Sequence, residues 1–337
     1  MIPLSVLDLA PVSAGLGTPA AMQESIALAQ HVEGLGYGRV WVAEHHGMPG
    51  IASSTPAVLI AALAAATKTI RVGSGGVMLP NHPPLVVAEQ FGMLEALHPG
   101  RIDLGLGRAP GTDQRTASLL RRGDSDDFPG ELALLRAFFE GPVQGISAVP
   151  AEGNAPDIWL LGSSGFSAQL AGLLGLPFAF AHHFSGESTV PALQLYRQSF
   201  RPGVLQEPYA MICANVLLAD TYEEARRLAL PGALSFTRLR QGHPGVLPSL
   251  QEAEAHPWTP QERAFAEARM DSAVLGSPVE ARVQLERLLE QTQADELMVT
   301  TTAYRFEDRL RSYDLLAALG SLVEGELSLT VGAATGR

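Results

Sequence analysis

Short runs of β-branched and aliphatic residues alternate with longer amphipathic stretches along the chain, and this alternation limits its folds more than any other feature. Strands separated by helical crossovers cannot pair as hairpins; they return parallel to one another within one sheet. Strands are predicted at 2–9, 39–43, 70–79, 101–107, 158–162, 178–182, 209–219 and 296–301. Between and after them the pattern predicts helices at 19–35, 56–67, 84–97, 130–139, 164–174, 190–200, 222–230, 261–270, 279–293 and 306–319. Thr221-Tyr222-Glu223-Glu224 opens the helix at 222 as a capping box. A polar, glycine-containing segment follows strand four, and 141–155 reads as a loop. An open dinucleotide-binding sheet would carry a glycine fingerprint after strand one, and Ala14-Gly15-Leu16-Gly17 lacks its spacing. The expected architecture is therefore a single α/β domain over 1–337. It is a (β/α)8 TIM barrel with an irregular insertion, 231–260, between strands seven and eight.

Composition supports that reading and removes several function classes. Hydrophobic residues make up 46% and charged residues 17% of the 337, which supplies a large core and is unlike a disordered chain. A formal charge of −12 leaves no general basic face for nucleic acid or an anionic membrane, although one local basic pocket remains compatible with it. Cys213 is the sole cysteine, so no intramolecular disulfide can form; it is read as a small buried strand residue, as in a reducing cytosol. No charged leader with an apolar run precedes the first strand, and the most apolar stretch, 57–66, is too short to span a bilayer. A cytoplasmic protein is expected.

In such a barrel the chemistry sits at the C-terminal ends of the strands. Strand two ends in Glu44-His45-His46, where adjacent histidines point to opposite sides. One can face the mouth as a general base near neutral pH, or both can be hydrogen-bonded loop residues. His45, His82 and His182 with a carboxylate would make a metal site, but the His-x-His strand signature is lacking, and none is expected. Gly162-Ser163-Ser164 lies between a strand and a helix, which suits either helix capping or a phosphate cradle. Arg108, directly after strand four, either pairs with an acid such as Asp113 or binds an anion. Ser74-Gly75-Gly76 inside strand three reflects close ligand approach or crowding of the interior.

Four segments in order on matching strand ends resemble a known family. They are Val40-Trp41-Val42-Ala43-Glu44-His45-His46, the run from Gly73 to His82, the run from Pro99 to Asp113, and Leu161-Gly162-Ser163-Ser164. Together they resemble the bacterial luciferase-like flavin monooxygenases, within them the non-luminescent group labelled MsnO8-like. The resemblance covers nearly the whole chain. It implies FMN at the barrel mouth, with His45 as the catalytic histidine and Arg108, Ser163 and Ser164 at the flavin phosphate. It also implies a non-proline cis peptide at Gly75-Gly76 beneath the flavin ring, with Gly107 and Gly162 beside it. Gly107 stands where the luciferase subunit has a cysteine, which is expected to open the flavin C4a face and gives no reason to expect light. The implied reaction uses FMNH2 from a separate flavin reductase and O2, through a C4a-peroxyflavin, to oxidise a small carbonyl-type substrate. Hydride transfer with F420, or flavin binding without catalysis, are the rivals. A homodimer is implied, for which the helix faces 61–66 and 86–97 are natural surfaces.

Overall fold

The computed structural model describes residues 2–120 and 127–332, with side chains to residue 320. The chain runs β1 (Leu4–Asp8), α1 (Thr18–Gly34), β2 (Arg39–Val42), α2 (Pro56–Ala66), β3 (Arg71–Met78), α3 (Pro84–Leu97) and β4 (Ile102–Gly107). It continues through α4 (Gln114–Leu120), α5 (Phe128–Glu140), β5 (Asp157–Gly162), α6 (Gly165–Leu173), β6 (Phe178–Phe180), α7 (Thr189–Ser199) and β7 (Ala210–Leu218). The last third holds α8 (Tyr222–Arg240), α9 (Leu250–Ala255), α10 (Pro260–Asp271), β8 (Val274–Gly276), α11 (Pro278–Thr292), β9 (Glu296–Thr300) and α12 (Phe306–Gly332). Strands β1 to β6 pair in chain order, all parallel; β6 then pairs with β7, β7 with β9 and β9 with β1. The ring is a closed eight-stranded barrel sheathed in helices, as the alternation of the sequence predicts.

Local signals set the helix starts. Pro56, Pro84 and Pro260 sit in first turns, where a missing N–H costs nothing. Capping boxes at Thr259/Glu262 and Ser277/Glu280 open α10 and α11, and Thr221 accepts from the Glu224 amide at 3.2 Å. Three expectations are modified. The helix expected to stop at Leu230 runs on through Pro231 to Arg240. A mid-helix proline costs about 3 kcal/mol, and burial of Pro231, Ala233, Leu234 and Thr237 on one face outweighs it. Irregular chain in the insertion is thus confined to 241–249 and 256–259, around α9. The short strand β8 adds a ninth strand on the far end of β7, outside the ring. In the polar segment after β4, residues 114–120 form α4, whereas 121–126 lie outside the described residues.

The barrel interior is solid from its floor to its waist. Positions two apart on a strand share a face, so Ser5, Arg39, Asp103, Tyr209 and Glu296 form the floor. Arg39 donates from Nε to Glu296 Oε1 at 2.7 Å and from Nη1 to Asp103 Oδ2 at 2.8 Å, joining β2, β4 and β9. Tyr209 Oη donates to Glu296 at 2.9 Å and Ser5 Oγ to the same carboxylate; Arg71 adds two bonds to Asp103. Above this layer Trp41 and Trp159 meet edge to face at 5.3 Å, with the Arg39 guanidinium 4.8 Å from the Trp159 ring. The packed bore leaves no room for side chains at the glycines of β3. A Cβ at Gly73 would sit 2.8 Å from Trp41, and one at Gly75 would sit 2.8 Å from Leu7. Crowding, one of the two readings open for this glycine run, therefore accounts for Gly75.

Helices α2 and α3 turn Leu59, Ile60, Leu63, Val87, Ala88 and Phe91 to the barrel wall and leave Val58, Met93 and Leu97 more than half exposed. Among the described residues no helix is long and apolar enough to cross a membrane. The floor generates a stability prediction. Arg39→Met leaves buried Glu296 without its cation while Asp103 keeps Arg71, and breaking a buried pair from one side costs about 3–5 kcal/mol. Urea unfolding of the variant should show that loss, and a change below about 1 kcal/mol would assign the floor no such role.

Candidate active site

Above the tryptophans the barrel opens into a cavity of about 280 Å³. All eight residues expected at the site line it: His45, Gly75, Gly76, Gly107, Arg108, Gly162, Ser163 and Ser164. The Gly75–Gly76 peptide is cis. Gly107 does not leave an open wall, because a Cβ there would lie 2.9 Å from Met78 Sδ, and that thioether also lines the cavity. Ser164 is the N-cap residue of α6 in extended conformation, yet its side chain makes no capping bond. The hydroxyls of Ser163 and Ser164 thus lie at the positive end of a helix whose cap they do not supply. Arg108 does not depend on Asp113, which accepts from Thr116 N and Oγ1 at 3.0 and 2.9 Å and opens α4. Its guanidinium lies 4.3 Å from the Phe166 ring.

The end of β2 is organised by Glu44. This carboxylate is fully buried and accepts from His46 Nε2 at 2.9 Å, His82 Nε2 at 2.9 Å, Asn81 Nδ2 at 3.1 Å and the Met78 amide at 3.0 Å. Burial acts to raise its pKa, but the bonds from His82, His46 and Met78 win and hold it below the usual carboxylate range. The two neighbouring histidines therefore part as expected, His46 to Glu44 and His45 to the cavity. The His45 backbone N–H is fixed to the Ser53 carbonyl at 3.0 Å, and its Nδ1 is buried without a hydrogen-bond partner. Burial, then the nearby His46, lower its pKa against the pull of Glu44. The grouping His45, His82 and His182 considered for a metal does not form. His182 turns to Thr189 Oγ1 at 2.8 Å, and among the described residues Glu44, His46 and His82 are the one such set of donors within 4.8 Å.

His183, just beyond the strand predicted at 178–182, is a further cavity residue. Its Nδ1–H donates to the Cys213 carbonyl at 3.0 Å, which leaves Nε2 as the acceptor. Burial, with smaller contributions from Arg269, His182 and His45, pushes its pKa down to about 4 despite the Cys213 bond. Cys213 lies in β7, as read from the sequence, and burial pushes its thiol up, so it stays protonated and inert. A second cavity of about 250 Å³ adjoins the first and shares Leu9, His45, His183 and Phe184 with it. Residues of α8, α10 and the insertion wall it, and Leu247 ties that insertion to the loop after β1 through bonds to Val12 and Ala14 at 2.8 Å. No local sequence pattern marks this cavity, because its walls come from segments more than 200 positions apart.

With this geometry in view, comparisons with known proteins agree. Residues 2–296 match the luciferase-like monooxygenase family. A luciferase-like monooxygenase of Escherichia coli K12 is 47% identical over 320 residues, covering 93% of this chain and 96% of the relative. The crystal structure of apo-MsnO8 aligns with a TM-score of 0.85 at 38% identity, over 96% of this chain and 99% of that one. The oxygenating constituent of 3,6-diketocamphane monooxygenase from Pseudomonas putida, solved with FMN, shares the fold at a TM-score of 0.69 and 18% identity, over 94% and 97% of the two chains. The chain belongs to the luciferase-like monooxygenase family.

Proposed function

We propose that the protein is a flavin-dependent monooxygenase that accepts reduced FMN from a separate reductase and uses O2 to oxidise a small carbonyl-type substrate. The observation that carries this reading is the convergence of a side-chain-free floor, an arginine, a helix N-terminus and a histidine on one cavity. The residues fit the cofactor part by part. Gly75 and Gly76 leave a flat face for a tricyclic ring; Arg108, the α6 amides and the uncommitted hydroxyls of Ser163 and Ser164 suit a phosphate. The FMN-bound relative supports FMN as the flavin. Bound reduced flavin supplies the electrons for oxygen activation, which no side chain here can do.

The chain's own groups position and manage protons. Burial lowers the pKa of both His45 and His183 and so favours the neutral imidazole in each. His183 offers Nε2 as a hydrogen-bond acceptor and not as a base, because its Nδ1 proton is committed to Cys213 and burial holds its pKa down to about 4, which leaves His45 as the group that handles protons. Apolar side chains, with Leu161, Ala179 and Met298 among them, line the cavity and lower the polarity around the reacting face.

Four measurements test this reading. Fluorescence quenching should report FMN binding to the wild type, weakened about 10–100-fold in Arg108→Ala by loss of charged hydrogen bonds. Riboflavin, lacking the phosphate, should bind both forms equally. Oxygen uptake should depend on FMN, NADH and an added flavin reductase; reduction of F420 with no FMN binding would instead establish hydride transfer. The His183 pKa gives a stability signature. Because its folded value, about 4, lies below the ordinary 6.5, the folded state binds fewer protons in that interval. Its contribution is complete above pH 6.5 and is lost as pH falls toward 4. Between pH 7 and 5 the wild type should lose about 1–2 kcal/mol more than His183→Asn in urea melts; parallel losses would remove the buried neutral imidazole. Finally, the exposed apolar residues of α2 and α3 suit a homodimer, and sedimentation of a monomer at micromolar concentration would exclude it.

A further inference from the structure

The second cavity is walled chiefly by apolar side chains, among them Phe236, Leu239, Met270 and Leu275, and two guanidinium groups line it. One is neutralised in place: Arg309 Nη2 donates to the buried Asp8 carboxylate at 2.8 Å. Arg269, on α10, is not. Its guanidinium lies 4.5 Å from the Phe236 ring, and Nη1 donates to the His183 carbonyl at 2.5 Å. With the Asn215 amide oxygen turned toward it, Nη1 and Nη2 also reach that oxygen at 3.1 and 3.0 Å. Every one of these partners is neutral, and among the described residues no aspartate or glutamate pairs with Arg269. Burial lowers its pKa and no acidic neighbour offsets that. Holding a carbonyl and an amide oxygen needs only N–H donors, which a glutamine would supply. A full positive charge in an apolar wall is unfavourable until an anion joins it.

We infer that Arg269 binds the carboxylate of a substrate whose apolar remainder lies along the second cavity toward His45 and His183. A carboxylate fits because one unit of positive charge matches one of negative, whereas a phosphate dianion would bring surplus charge into the same wall. Ser235 and Thr302 line the cavity as well and offer hydroxyls to the carboxylate's remaining lone pairs. The His183 carbonyl that Arg269 holds belongs to the residue shared by both cavities. Anchoring the anion there sets the reactive part of the substrate beside the first cavity. This assignment rests on the reading of the first cavity as the flavin site, because only then does the second receive the substrate.

Equilibrium binding to the full-length protein with FMN present tests it, using hexanoate, its neutral isostere hexanamide, and hexyl phosphate. Wild type should bind hexanoate at least about 10-fold more tightly than hexanamide, as charged hydrogen bonds imply, and more tightly than hexyl phosphate. Arg269→Gln should reduce hexanoate to the hexanamide level, and Arg269→Lys should restore part of the difference. Equal binding of hexanoate and hexanamide by the wild type, or no hexanoate binding at millimolar concentration, overturns the proposal without recourse to a variant. Retained hexanoate preference in Arg269→Gln overturns the role of Arg269, and preference for hexyl phosphate overturns the choice of carboxylate. FMN quenching in the same samples separates the two readings. Unchanged quenching in Arg269→Gln shows an intact fold and flavin site. If the wild type itself fails to quench FMN while preferring hexanoate, the flavin reading falls and the anion site stands.

Discussion

Two carboxylates buried at the barrel floor, Asp103 and Glu296, share the Arg39 guanidinium, and the rest of the architecture depends on that shared cation. Carboxylates cannot stay ionised inside a barrel without a partner, and this one spans β2, β4 and β9. Its flat face also supports Trp159, and so fixes the level at which the two indoles close the bore. Above the indoles the bore opens into the first cavity. The glycines of β3 answer the same crowding: a Cβ at Gly73 would meet Asp103 and Trp41, one at Gly75 would meet Leu7 and Trp41, and one at Gly76 would meet the Gly105 carbonyl.

Four arginines with little exposure show how differently one side chain is used. Arg39 and Arg309 balance buried carboxylates. Arg101 binds only oxygens of Ala64, Thr67 and Ile70, but near the surface, where water shares its charge. Arg269 also has neutral partners, yet it lines a cavity walled chiefly by apolar side chains. The histidines divide in a similar way: His46 and His82 are engaged by Glu44, while His45 and His183 keep lone pairs for the cavities.

Much of this was legible in the sequence because the relevant patterns are local. Hydrophobic periodicity identifies the eight barrel strands, and the rule that chemistry sits at strand C-termini brings His45, Arg108 and Ser163-Ser164 to one mouth. What stayed hidden depends on contacts between distant segments. Pro231 signals a helix end locally, and burial against neighbours overrides it. Arg269 reads as a polar position on an amphipathic helix; its contact with His183, 86 positions away, has no sequence signature. The glycine run left crowding and ligand approach both open, and only the positions of Leu7 and Trp41 distinguish them at Gly75.

The convergence of four donors on Glu44 also bears on how mutations in this region combine. His46, His82, Asn81 and the Met78 amide come from two separate stretches of chain and meet on one carboxylate. Residues sharing a partner do not behave independently. Once one donor is removed, the carboxylate and the others readjust, so the second loss has a different effect from the first. Substitutions at His46 and His82 would therefore show epistasis with each other and with any change at Glu44. Sequence drift at this mouth is constrained as a set, which ties a loop after β3 to the placement of His45 although the two are far apart along the chain.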